Sequence, residues 1–225
     1  MLDLLFPPRC PMCGEVLTPL ESVCPSCRLN NRFLKGDRCV SCGMPLDECF
    51  CKRNSRRWDG VTSAFLYQKE CKTGVLNWKY TKNTETTGFW AQAVAGACKE
   101  TFGDVGFDLI TFVPQTENDM LEKGYNQGEL LARAVGIYMR LPVEKILTKL
   151  YDSPRQHSMP RIKRTGNVFG VFEPVDKFSV PGKTILLVDD ILTTGSTLEE
   201  CSKMLKLYDA EAVYCAVIAQ VRPDI

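Results

Sequence analysis

Thr184-Ile185-Leu186-Leu187-Val188-Asp189-Asp190-Ile191-Leu192-Thr193-Thr194-Gly195-Ser196-Thr197 reads as a buried strand, two carboxylates, a polar turn and the start of a helix. The run 184–188 is short and apolar without alternation, the pattern of a strand covered on both faces in a parallel sheet. Beyond the turn, Leu198, Cys201, Leu205 and Tyr208 fall on one face of a helix. Thr193, Thr194, Gly195, Ser196 and Thr197 place hydroxyls and backbone N–H groups at that helix's N-terminus, where the dipole and unpaired donors favour an anion such as phosphate. Asp189 and Asp190 are unsuited to the same phosphate and suit sugar hydroxyls or a magnesium ion. A ligand with phosphate on one side and a diol on the other fits the loop, and the carboxyl end of a parallel strand is where α/β sheets bind such ligands.

The chain has 225 residues, a formal net charge of +1 and 12 cysteines. That length allows one large domain, or a medium and a small one. The charge balance announces neither a nucleic-acid protein nor an acidic one. No apolar run approaches membrane-spanning length, and residues 1–8 are too short and too acidic for a signal peptide, so a cytoplasmic protein with no membrane span is expected.

Cysteine usage without an export signal points to metal instead of disulfides. Eight cysteines lie in the first 51 positions as Cys10/Cys13, Cys24/Cys27, Cys39/Cys42 and Cys49/Cys51. Two-residue spacing lets both sulfurs of a knuckle reach one tetrahedral zinc, and Gly14 and Gly43 permit the tight turn that follows. Two structural zinc sites are expected, one from Cys10, Cys13, Cys24 and Cys27 and one from Cys39, Cys42, Cys49 and Cys51. Four thiolates leave no open coordination position for zinc catalysis. Cys71, Cys98, Cys201 and Cys215 read as small core residues.

Residues 1–59 therefore form a double four-cysteine, zinc-ribbon-like module that folds when loaded. The basic run 52–58 follows it, and its cations beside Phe50 and Trp58 are a candidate track for single-stranded nucleic acid, with a solvated linker as the alternative. Residues 1–60 hold nine Lys/Arg and seven Asp/Glu, a balance of +2 that two zinc–tetrathiolate centres turn to −2. Residues 60–225 form the second domain. Strands are expected at 61–67, 108–113, 145–149 and 167–172, with 212–219 closing the sheet. Helices are expected at 87–101 and from about Tyr125, the latter turning Leu130, Leu131, Ala134, Val135 and Tyr138 inward. Strands alternating with helices imply an α/β fold with a mainly parallel sheet flanked by helices.

Residues 188–197 resemble the phosphoribosyl pyrophosphate motif of type I phosphoribosyltransferases. The four-cysteine module ahead of such a domain resembles the ComF family, the competence protein F relatives. Lys79 in Asn77-Trp78-Lys79-Tyr80 is similar to that family's Leu-Lys-Phe/Tyr signature, and Lys123-Gly124-Tyr125-Asn126-Gln127-Gly128-Glu129-Leu130-Leu131-Ala132 is similar to its Arg-Gly-Phe-Asn-Gln-Ala-Glu-Leu-Leu-Ala. Gln156, Arg164 and Asn167 follow its later pattern. The resemblance implies a type I phosphoribosyltransferase-like domain that binds phosphoribosyl pyrophosphate, or another 5-phosphoribosyl ligand, with magnesium. Asp189 and Asp190 would take the ribose hydroxyls, Thr193, Thr194, Gly195, Ser196 and Thr197 the 5-phosphate, and Lys123, Asn126, Gln127 and Arg164 would line the site. It also implies a role in DNA uptake during competence, with single-stranded DNA and competence-machinery proteins as partners.

An active phosphoribosyltransferase with an unidentified acceptor is the alternative. Glu117, Asn118, Asp119 and Met120 stand where the family usually carries arginines, leaving Lys123 as the cation of the expected pyrophosphate loop, which favours binding over turnover. Arg155, Arg161, Lys163 and Arg164 form a basic stretch that either supplies that charge or is solvated, and His157 within it reads as a surface residue ahead of a general base.

Overall fold

The computed structural model describes residues 7–18, 20–31, 33–34, 36–49, 51, 56–80, 84–116, 121, 124–150, 171–176 and 179–222. Its elements in chain order are α1 (Pro25–Asn30), β1 (Gly60–Leu66), α2 (Lys69–Tyr80), α3 (Thr87–Phe102), β2 (Leu109–Phe112), α4 (Gln127–Met139), β3 (Leu147–Lys149), β4 (Phe172–Pro174), β5 (Thr184–Leu192), α5 (Ser196–Leu207) and β6 (Ala212–Gln220). Four strands make one sheet in the order β1-β6-β5-β2, and every pairing within it is parallel. The last strand therefore lies inside the sheet, between β1 and β5, where the sequence suggested only that it completes it.

Burial on both faces explains the unbroken apolar runs. Leu186 and Val188 of β5 face a cluster with Trp78, Trp90, Val94, Leu131 and Val135 from α2, α3 and α4. Ile185 and Leu187 face the opposite cluster, where Leu198, Cys201 and Leu205 of α5 meet Ile146, Leu147 and Phe172. Alternate residues of one strand thus fill two separate cores. All four scattered cysteines are buried, as expected of small core residues.

Three expectations need adjustment. The strand expected at 145–149 appears at 147–149, but in an antiparallel hairpin with β4 and not in the main sheet. Of the strand expected at 167–172, residues 167–170 lie outside the described residues. In α4 the buried face is Leu131, Ala132, Val135 and Gly136, while Tyr138 is 49% exposed. Among the described residues no helix is long and apolar enough to cross a membrane.

The cysteine-rich segment consists of two copies of one turn. In the first, Gly14 N–H donates to the Cys10 carbonyl at 2.8 Å and Cys10 N–H to the Glu15 carbonyl at 2.7 Å; in the second, Gly43 donates to Cys39 at 2.7 Å and Cys39 to Met44 at 2.8 Å. Arg9 and Arg38, one residue before each knuckle, donate to the Gly14 and Gly43 carbonyls. Both glycines have positive φ, 81° and 74°.

The first copy is built into the helical layer. Cys10, Met12, Leu17, Val23, Cys24 and Cys27 share the cluster of Trp78 and Trp90. Asn31, 3% exposed, accepts from the Cys71 N–H at 2.9 Å and donates to the Cys27 carbonyl and the Glu70 carboxylate. The second copy covers the free edge of β1: Leu34 N–H donates to the Ala64 carbonyl, and Phe33 packs on Phe65 with ring centroids 4.2 Å apart. An otherwise open sheet edge is closed.

Gly74 of α2 is the contact on which the first knuckle rests. A Cβ there would press into the Pro11 carbonyl and lie 2.7 Å from Met12 Cα and 3.0 Å from the Trp90 ring, whereas one at Gly96 of α3 would meet nothing within 4 Å. Gly74→Ala is expected to lower unfolding free energy by about 1–3 kcal/mol through overpacking, measured by denaturant titration of zinc-loaded protein. Gly96→Ala should be neutral or stabilising, since alanine is the better helix former. Equal behaviour of the two variants would contradict the packing described.

Candidate functional site

Strand β5 ends the buried run at Val188 and delivers Asp189 and Asp190 to the carboxyl end of the sheet. Its ladder with β6 continues two residues further, through Ile191↔Ala219 and Leu192↔Gln220, so the acids lie just inside the strand and not at its last position. Asp190 makes an ion pair of 2.5 Å with Lys79 Nζ, their side chains 13% and 22% exposed. Lys79 comes from the last turn of α2, a helix the periodicity did not announce. Its backbone carbonyl accepts from Gln127 Nε2 at 2.8 Å, and Gln127 Oε1 accepts from Gln115 Nε2 at 2.7 Å. A relay of amides therefore fixes the end of α2 against the start of α4 and the segment after β2.

Asn126 caps α4, its Oδ1 accepting from Glu129 N–H at 3.2 Å while Nδ2 donates to the Val113 carbonyl. These groups enclose a cleft of about 300 Å³ lined by Lys79, Gln115, Asn126, Asp189, Asp190 and Thr193, with Thr197 at its edge. Gln115 Oε1 is buried there without a hydrogen-bond partner among the described residues.

Charge at the strand end is finely opposed. Burial, with Asp190 adding to it, pushes the Asp189 carboxyl up to about 7, against the Asp190 N–H and Lys79. Asp189 Oδ1 accepts that N–H at 2.8 Å. For Lys79, burial acts to lower the pKa, but the charge of Asp190 and the hydrogen bond to it outweigh burial, and the net shift is upward.

The turn after β5 supplies the other half. Gly195, the N-cap of α5, has φ 82° and ψ 3°, a left-handed conformation that costs glycine nothing. Thr193, Thr194, Ser196 and Thr197 are exposed around it, with Thr194 Oγ1 and Ser196 Oγ 3.1 Å apart. Beneath the turn lies Trp58: a Cβ at Gly195 would sit 2.9 Å from its ring and 3.3 Å from Leu192 Cδ1. Exposed hydroxyls and the N–H groups of a helix N-terminus on one side and two carboxylates on the other suit a phosphorylated sugar.

The eight knuckle cysteines come together as two groups, Cys10, Cys13, Cys24, Cys27 and Cys39, Cys42, Cys49, Cys51, the sulfurs of each within 4.8 Å of one another. Tetrahedral zinc with bonds of about 2.3 Å sets its sulfurs about 3.8 Å apart; Cys13–Cys24 and Cys39–Cys51 are at 3.6 Å, and Cys49–Cys51, despite the single residue between them, at 3.4 Å. For the Cys39 thiol, burial acts upward, but hydrogen bonding from the Cys42 and Ser41 backbone helps bring it down to about 7. Both groups are consistent with structural zinc.

Of the residues expected at the ligand site, Asp189, Asp190, Asn126, Thr193 and Thr197 meet at the cleft, and Thr194, Gly195 and Ser196 complete the turn. Gln127 is 1% exposed and both ends of its amide are engaged in the relay. Lys123, Arg164 and His157 lie outside the described residues. Lys79 was not among the expected ligands; the sequence signal that singled it out was its motif resemblance. Trp58, weighed in the sequence as a stacking surface for bases against a solvated linker, is 6% exposed and is closed off from stacking by the turn above it.

Comparison with known proteins gives two family matches: residues 1–58 to a double zinc ribbon domain and residues 125–224 to a phosphoribosyl transferase domain. Competence protein ComFC of Bacillus subtilis is 24% identical over 210 residues, 84% of this chain and 80% of that protein. DNA utilization protein YhgH of Salmonella typhi is 24% identical over 200 residues, 87% and 83% of the two chains. Competence protein F of Haemophilus influenzae is 32% identical over 108 residues, 47% of each.

The raised Asp189 carboxyl is directly measurable. An acid whose folded pKa exceeds its unfolded value of about 3.9 holds its proton more tightly when folded, so its stabilising contribution is complete below about pH 4 and is lost as pH rises through about 7. Asp189→Asn should therefore gain stability relative to the parent across that window, and carbon-13 NMR should lose one carboxyl titrating near 7. Parallel stability–pH curves with no such titration would contradict the assignment.

Proposed function

We infer the function of this chain from the family to which it belongs, the ComF-type proteins that join a double zinc ribbon to a phosphoribosyl transferase domain, and from the geometry of its cleft. We propose that the cleft binds phosphoribosyl pyrophosphate, or a nucleotide sharing its 5-phosphoribose, together with magnesium. The observation that carries the reading is the juxtaposition of Asp189 and Asp190 at the end of β5 with a left-handed glycine turn presenting Thr193, Thr194, Ser196 and Thr197. In this reading the turn's N–H groups and hydroxyls hold the 5-phosphate, and Asp189 and Asp190 accept hydrogen bonds from the ribose diol. Lys79 holds Asp190 in place, and magnesium neutralises the pyrophosphate. Lys123 and Arg164 belong to the same proposal as cations for the pyrophosphate. Residues 1–59 act as the zinc-stabilised module and residues 60–225 as the ligand-binding domain.

Binding without efficient transfer is the reading favoured. Among the described residues lining the cleft, Lys79 is the only cation, and it is committed to Asp190, whereas departure of pyrophosphate needs positive donors. The competence and DNA utilization names of the relatives support a role in DNA handling, and single-stranded DNA is the partner we propose. The exposed Arg57, beside the turn, gives such a strand a phosphate contact.

Calorimetry with phosphoribosyl pyrophosphate and ribose 5-phosphate, with and without magnesium, tests the cleft. Replacing both acids, Asp189→Asn with Asp190→Asn, removes charge-assisted acceptors worth about 1.5–3 kcal/mol each and should weaken binding at least about tenfold. Gly195→Val should abolish it, because a branched residue cannot adopt the turn above Trp58. Equal affinity in all three proteins would refute the reading. Arg57→Glu is expected to weaken binding of a single-stranded oligonucleotide by about threefold or more at low salt and to flatten its salt dependence, as followed by fluorescence anisotropy; unchanged binding would remove this surface from the proposal.

A further inference from the structure

We propose that Trp58 is a positioning residue that couples the second four-cysteine site to the phosphate turn, so that loss of zinc from that site loosens the turn and weakens its hold on a phosphorylated ligand. Three consecutive residues of the connection between the ribbon and the sheet touch the turn. The Arg56 guanidinium lies 5.0 Å from the centre of the Trp58 ring and donates to the Thr194 carbonyl at 3.5 Å. Arg57 N–H donates to both oxygens of Glu199, in the first turn of α5, at 3.2 and 3.1 Å. Trp58 itself forms the floor under Gly195.

The other end of the indole reaches the metal site. Trp58 Nε1 donates to the Ser41 carbonyl at 3.2 Å. Ser41 sits within the knuckle between Cys39 and Cys42, directly beside Cys42, and both cysteines belong to the second four-cysteine group. Metal bound to the cysteines on either side therefore fixes the carbonyl that fixes the indole. With that carbonyl released, the ring would carry a buried N–H without an acceptor, which favours its rotation, and Gly195 would lose the surface beneath it. Among the described residues, the bonds within the turn are the Thr194–Ser196 contacts at 3.1 and 3.4 Å, and the Gly195 carbonyl accepts from the Glu199 N–H at 2.8 Å. Because coupling is reciprocal, a ligand seated on the turn should also tighten zinc binding at the second site.

The mechanical part of this proposal needs no ligand; its effect on affinity rests on the function proposed above. Hydrogen exchange of backbone amides 193–199 is measured in the full chain, zinc-loaded, as the parent, as Cys49→Ser with Cys51→Ser, and as Trp58→Phe, with and without those serines. The double serine variant should lose protection in the turn by about fivefold or more while the β5 amides 185–188 keep theirs. Trp58→Phe retains a ring under Gly195 but no bond to Ser41, so adding the two serines to it should change little. Unchanged exchange in the turn of the double serine variant overturns the proposal. Should that variant lose its sheet protection as well, the decision falls to Trp58→Phe in the zinc-loaded protein: faster exchange confined to the turn upholds the coupling, and parental exchange overturns it. Titration of ribose 5-phosphate into the parent keeps the two readings apart, since failure to bind rejects the ligand assignment while the exchange data still judge the coupling.

Discussion

A strand buried on both faces can place polar groups only where its cover ends, and that constraint sets the position of everything functional in this protein. Residues 185–188 of β5 have no face free for water: one row packs on the helices α2 to α4, the other on α5 and the β3–β4 hairpin. The next two residues are aspartates, and they emerge at the rim of both cores, where desolvation is incomplete and a compensating cation is close. The ion pair of Asp190 with Lys79 is therefore more than a surface contact; with one partner removed, a recessed charge would be left without compensation. For Asp189, burial and the neighbouring Asp190 charge raise the pKa against the Asp190 N–H and Lys79.

The ribbons and the sheet depend on one another. A short cysteine-rich segment has too little apolar surface to fold alone and takes its order from metal, yet here Met12 and Cys27 are also part of the main core, and Gly74 of α2 leaves the room that the first knuckle occupies. In return the second ribbon covers the β1 edge, and Arg38, buried against it, donates to the Ser63 carbonyl. The connection between them includes residues 56–58, and Trp58 lies directly under the Gly195 turn. The second four-cysteine group, the sheet edge and the glycine turn are consequently neighbours in space, although they come from opposite ends of the chain.

How much of this could be read from the sequence depends on the range of the interaction. Strand β5, the turn and α5 form one contiguous unit whose apolar run, acids and glycine are local signals, and the two knuckles are equally local. Helix α2 was missed because Lys69–Tyr80 mixes lysines, threonine, glycine and asparagine, and its buried positions, Cys71, Gly74, Val75 and Trp78, make a thin stripe. The interior place of β6 could not be read because sequence order does not fix spatial order in a sheet. Trp58 looked like an exposed aromatic beside basic residues; it is buried in the cluster that holds Leu192 and Leu198, with Gly195 above it and Ser41 bonded to its N–H, neighbours that no local pattern encodes. Gln127 resembled a site residue by motif, while its immediate work is to tie Lys79 to Gln115.

The central claim is that one loop holds the two ends of a phosphorylated sugar by different chemistry. A crystal structure of the zinc-loaded protein grown with magnesium and phosphoribosyl pyrophosphate tests it most directly. The account predicts the 5-phosphate within hydrogen-bonding distance of the N–H groups of residues 194–197, with the ribose hydroxyls on Asp189 and Asp190. A ligand seated elsewhere, or a 5-phosphate turned away from the Gly195 turn, would contradict it.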